Sequence, residues 1–119
     1  MLAIKCEGLT KRYRDVVALN GLDLGIEEHS VFGFLGPNGA GKTTTVKLLV
    51  GLSTPFLGRS WIVGQEVNPG AIGLRSKIGY LPEVPTFYNW MSGWEFLVFA
   101  GELYQLSKVA IESRCNELL

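Results

Sequence analysis

Residues 36 to 43 read Gly-Pro-Asn-Gly-Ala-Gly-Lys-Thr, which fits the spacing G-x-x-x-x-G-K-[ST]. This combination is suited to holding the phosphates of a nucleoside triphosphate. The glycines let the backbone curl, so that successive N–H groups from Asn38 through Thr43 point inward at phosphate oxygens. Lys42 supplies a point charge to the β- and γ-phosphates and is the candidate catalytic residue. The Thr43 hydroxyl is suited to ligate Mg²⁺. Thr44 adds a further hydroxyl and N–H in the first helical turn, where the helix dipole also favours an anion. The predicted phosphate-binding set is Gly36, Pro37, Asn38, Gly39, Ala40, Gly41, Lys42, Thr43 and Thr44.

Such a loop works only between a strand and a helix. Before it, Val31-Phe32-Gly33-Phe34-Leu35 is a short apolar run that predicts a buried strand. After it, residues 44–50 predict a helix, with Gly51 positioned to end it. Upstream, residues 2–6 read as a first strand and 9–15 as a polar connection. Residues 16–19 and 22–26 read as two short strands separated by the tight-turn dipeptide Asn20-Gly21. Downstream, residues 59–63 predict a strand, 69–77 a short glycine-interrupted helix, and 78–81 a strand stopped by Pro82. Ser92, with Glu95 three residues later, predicts a capping box that opens a helix to about residue 106. Ser107 predicts the cap of a last helix, whose face carries Ile111, Cys115 and Leu118.

The length of 119 residues suggests one domain. No apolar run approaches the roughly 20 residues that span a bilayer. The N-terminus carries charge inside its apolar stretch, which argues against a signal peptide. Cys6 and Cys115 are far apart and lack metal-ligand spacing, so free thiols in a reducing compartment are expected. Eleven acidic residues balance eleven basic ones, so no nucleic-acid partner is expected.

Together these segments resemble the ATP-binding subunit of ABC transporters. Leu9-Thr10-Lys11-Arg12-Tyr13 is similar to the family's adenine-stacking loop, and Ala18-Leu19-Asn20-Gly21-Leu22-Asp23-Leu24 to the hairpin that follows it. The phosphate loop matches through Thr45. Ile78-Gly79-Tyr80-Leu81-Pro82-Glu83 resembles the entry to the glutamine loop, and Met91-Ser92-Gly93-Trp94-Glu95-Phe96-Leu97 the start of the helical subdomain. The residues alone leave Tyr13 open between a base platform and an ordinary half-buried tyrosine; the resemblance implies the platform. At Glu83 the family usually has glutamine. A carboxylate keeps an oxygen suited to Mg²⁺, and this variant is similar to bacterial exporter-type members. His29 precedes the loop, whereas the family's catalytic histidine follows it, so His29 reads as a turn residue.

The resemblance implies an α/β fold: a P-loop NTPase (RecA-like) core with an antiparallel β-subdomain, incomplete, followed by the start of a helical subdomain. Residues 1–83 would form the core part and 84–119 the helical start. It also implies ATP and Mg²⁺ as ligands, with Thr43 and Glu83 on the metal. The implied partners are a transmembrane permease subunit and a second nucleotide-binding domain, on the cytoplasmic face of the membrane. After Gly41 the sequence contains no aspartate, no later histidine and no Leu-Ser-Gly-Gly-like segment. These 119 residues are therefore expected to bind nucleotide but to hydrolyse it poorly alone, as the N-terminal half of such a domain. A non-catalytic regulatory module and a soluble ABC ATPase are the alternatives. A GTPase is disfavoured because no N-K-x-D segment occurs.

Overall fold

The computed structural model describes residues 1–37, 41–71 and 73–119. The chain divides into two compact units, Met1–Tyr80 and Leu81–Leu119. The first is built on a four-stranded antiparallel sheet in the order β2-β1-β3-β4. Its strands are β1 (Leu2–Tyr13), β2 (Val16–Glu27), β3 (Leu57–Ile62) and β4 (Gln65–Glu66). Helix α1 (Lys42–Leu49) packs on one face. Its Leu48 and Leu49 join Cys6, Leu9, Leu19, Ile62 and Leu74 in a buried core. On β1, Ile4 and Cys6 contribute to that core while Lys5 and Glu7 remain exposed, the alternation a one-sided sheet requires.

The first hairpin is longer and less interrupted than the sequence suggests. Residues 9–13 continue β1 instead of forming a connection, and the turn falls at Arg14 and Asp15. Asn20-Gly21 makes no turn; β2 runs through it as one strand. The register shifts between Leu9 and Lys11 at this point, and the buried Thr10 accommodates the irregularity. Its hydroxyl accepts from the Gly21 N–H at 3.0 Å and donates to the Gly8 carbonyl at 3.1 Å. A turn dipeptide has been used as a bulge, because a side chain replaces the missing ladder bond.

Two other expected strands are absent. Residues 31–35 form no strand, and Val31, Phe32 and Leu35 are exposed. Residues 78–81 likewise carry no strand. An apolar run of this kind becomes a buried strand only when ladders form on its flanks. Among the described residues no strand pairs with either segment. The helix expected over 69–77 is reduced to a 3-10 turn, Leu74–Lys77.

Helix α1 ends as expected. Gly51 follows its cap, and the Leu52 and Gly51 N–H groups donate to the Lys47 and Leu48 carbonyls at 2.9 and 3.3 Å. The second unit holds α2 (Gly93–Leu103) and α3 (Lys108–Leu118). The Ser92–Glu95 capping box is present in both directions, at 3.1 and 2.8 Å. The Ser107 hydroxyl accepts from the Ala110 N–H at 3.2 Å. Gly101 on α2 meets Ile111 on α3, where even a Cβ would come within 2.7 Å of the isoleucine side chain. Phe87 packs edge-on against Phe96, Tyr88 packs against Phe99, and Trp90 lies against Tyr88 at 4.8 Å; all three keep exposed surface.

Candidate nucleotide-binding site

The start of α1 is fixed from two sides. Gly41 has the left-handed backbone φ 90, ψ 8. A Cβ there would stand 2.8 Å from the Ala18 carbonyl oxygen and 3.1 Å from Leu19 Cδ1. Only glycine lets the helix begin this close to β2. From behind, the buried Thr45 donates through both its hydroxyl and its N–H to the Gly41 carbonyl, at 2.7 and 2.9 Å. The run Thr43-Thr44-Thr45 is thus divided by the helical turn. Thr43 is exposed at the helix mouth, Thr44 is half-buried, and Thr45 supports the loop from below.

No acidic residue occupies the first turn of α1, so the positive end of the helix dipole is left to an anion. The Lys42 ammonium donates to the carbonyl of Gly36, the first residue of the motif. Gly36 and Pro37 are exposed. The expected sites Asn38, Gly39 and Ala40 lie outside the described residues.

Tyr13 ends β1 opposite Val16 and is 48% exposed. The Lys11 ammonium lies over its ring, 5.1 Å from the centroid, and donates to the Thr54 carbonyl at 2.6 Å. Across the ladder Lys11 faces Leu19, the residue that abuts Gly41. Tyr13 is therefore about one strand spacing (roughly 5 Å) across and two residues (roughly 7 Å) along from the contact that fixes the helix start. The hairpin thus brings the aromatic and the phosphate loop into one neighbourhood. Thr45, Ala18 and Lys11 were not singled out as site residues by sequence. The triple threonine was a usable signal for the first; nothing local marks the other two.

Glu83 is exposed and belongs to the unit Leu81–Leu119. Among the described residues no group of three or more His, Cys, Asp or Glu is assembled for a metal. Mg²⁺ is commonly held by one or two protein oxygens together with phosphate oxygens and water. Thr43 at the loop mouth is an oxygen donor of this kind. His29 occupies a turn with φ 58, as expected from sequence. A cleft of about 810 Å³ lies elsewhere on the first unit, lined in part by Leu48, Ser60, Glu66, Val67, Leu74 and Ile78. Among the described residues Lys42, Thr43 and Tyr13 do not line it.

Residues 19–119 match the family model described as ABC transporter. The chain belongs to the ABC transporter family. Among its relatives, an ABC transporter ATP-binding protein of Bacillus subtilis, YxlF, is 42% identical over 119 residues, covering 100% of this chain and 38% of the relative. The Nod factor export ATP-binding protein I of Cupriavidus pinatubonensis is 40% identical over 109 residues, covering 92% of this chain and 34% of that protein. A solved ATP-binding subunit of an ABC transporter superposes with a TM-score of 0.81 at 30% identity, covering 96% of this chain and 47% of that one. The chain thus spans between about a third and just under half the length of these relatives. The fold matches part of an ABC ATP-binding subunit: an antiparallel sheet carrying a phosphate-loop helix, followed by helices.

Proposed function

We propose that this chain forms the nucleotide-holding part of a transport ATPase and binds MgATP at the mouth of α1. The observation that carries the reading is the start of that helix, with Gly41 set against β2 and Lys42 reaching back to Gly36. In this reading the loop N–H groups and the Lys42 ammonium bind and orient the β- and γ-phosphates, and stabilise charge as phosphoryl transfer proceeds. Tyr13 offers its ring to the adenine, and Thr43 contributes an oxygen to the Mg²⁺ that accompanies the triphosphate. Glu83 is the second oxygen candidate, for the metal or the attacking water. The bound cation would neutralise phosphate charge.

The partners proposed are a transmembrane permease subunit and a second nucleotide-binding domain, at the cytoplasmic face of the membrane. Two observations favour export as the direction: the Glu83 variant and the relative named for Nod factor export. Within these 119 residues no aspartate follows Gly41, and removal of water-orienting groups costs orders of magnitude in phosphoryl transfer. Binding without appreciable turnover is therefore expected of this chain alone.

Calorimetric titration with ATP in the presence of Mg²⁺ tests the reading. Saturable binding is expected, weakened about 10- to 100-fold by Lys42→Ala, in line with loss of charge-assisted hydrogen bonds. Equal affinity in both proteins would refute the site. Turnover above ~0.1 per second that depends on Lys42 would refute the expectation of an inactive chain.

A further inference from the structure

Among the described residues of the first unit, three aromatic rings carry cations, and the cation over one of them is itself held by a backbone carbonyl. Trp61 is met by two, Lys5 at 5.2 Å and Arg59 at 4.8 Å from its centroid. Arg12 lies over Phe56 at 5.4 Å. Tyr13 meets Lys11 at 5.1 Å, and about half of its surface stays open, as does that of Phe56. Lys11 is also fixed at its far end. Its ammonium donates at 2.6 Å to the carbonyl of Thr54 in the loop after α1, and its backbone sits opposite Leu19 in the β1–β2 ladder.

We propose that Lys11 is a positioning residue for nucleotide binding, which covers one face of Tyr13 and presents the other to the base. This inference rests on the reading of Tyr13 as the base platform. An ammonium within about 6 Å of a ring centroid is attracted to the ring face and restrains its rotation. Here the ammonium is itself tethered to Thr54, so the ring is held by a fixed cation instead of a mobile one. A ring held in advance loses less freedom when a base stacks on it, and stacking on a restrained aromatic is correspondingly tighter. The tether also joins the base platform to the segment that follows α1, so that β1 and the helix carrying the phosphate loop hold the two ends of one ligand.

The test measures affinities for ATP, GTP and inorganic tripolyphosphate in wild type, Tyr13→Ala, Lys11→Met and Lys11→Arg. Lys11→Met is expected to weaken ATP and GTP about two- to fivefold alike, because stacking tolerates any base. Tripolyphosphate, which has no base, should shift by less than that. Lys11→Arg should restore most of the loss, and Lys11→Met should add little once Tyr13 is alanine. A mere folding defect would weaken all three ligands together, and this outcome would overturn the role of Lys11. If Tyr13→Ala lowers ATP affinity while Lys11→Met does not, the Lys11 inference fails and the platform stands. If Tyr13→Ala changes neither ATP nor GTP relative to tripolyphosphate, both fail.

Discussion

At the scale of single residues, the structure separates groups that act on a ligand from groups that hold them. Lys42 and Thr43 are at the helix mouth, and Thr45 secures Gly41 beneath them. Cys6 shows a third role. It is buried in the core beside Asp23, and burial first, with the carboxylate second, pushes its thiol up to about 11 from an ordinary 9.0. The folded state therefore retains a proton that the unfolded chain loses above pH 9. This contribution to stability is complete below pH 9 and is lost as pH rises towards 11. Chemical denaturation from pH 8 to 11 should show a decline that Cys6→Ala reduces; an identical decline in both proteins would remove Cys6 as its cause. The same shift makes Cys6 a poor nucleophile, and alkylation of the native protein near neutral pH should spare it.

At the scale of elements, contacts between strands decide what local sequence leaves open. Gly58 on β3 has φ 87, and a Cβ there would stand 2.3 Å from the Gly8 carbonyl oxygen. The backbone of Glu7 and Gly8 on β1 blocks it, so Gly58→Ala is expected to destabilise the first unit by about 2–4 kcal/mol. A change below ~0.5 kcal/mol in a denaturation midpoint analysis would show that the crossing relaxes freely. The elements legible in the sequence were those with local determinants. Ser92 with Glu95, Ser107, and Gly51 each fix a helix end through bonds made within a few residues. Asn20-Gly21 misled because the Thr10 hydroxyl, on another strand, takes the Gly21 N–H. Residues 31–35 misled because apolar content alone does not make a strand without a ladder. The phosphate loop was legible as a motif. Its support by Ala18 and the Lys11 contact to Tyr13 depend on tertiary proximity that spacing does not encode.

At the scale of the whole molecule, the central claim is one of location: MgATP at the mouth of α1, with its base toward Tyr13. The competing location is the cleft of about 810 Å³ lined by Leu48, Ser60, Val67 and Ile78. The two share the helix but lie toward different parts of it. The candidate site uses its first residues, and the cleft uses its last turn and the segments beyond. Hydrogen–deuterium exchange with and without saturating MgATP distinguishes them directly. MgATP bound at the mouth of α1 should bring new protection in residues 41–45 and in the hairpin around Tyr13, with none in α3. Protection confined to residues 58–78, or no change at 41–45 under conditions where ATP demonstrably binds, would contradict it.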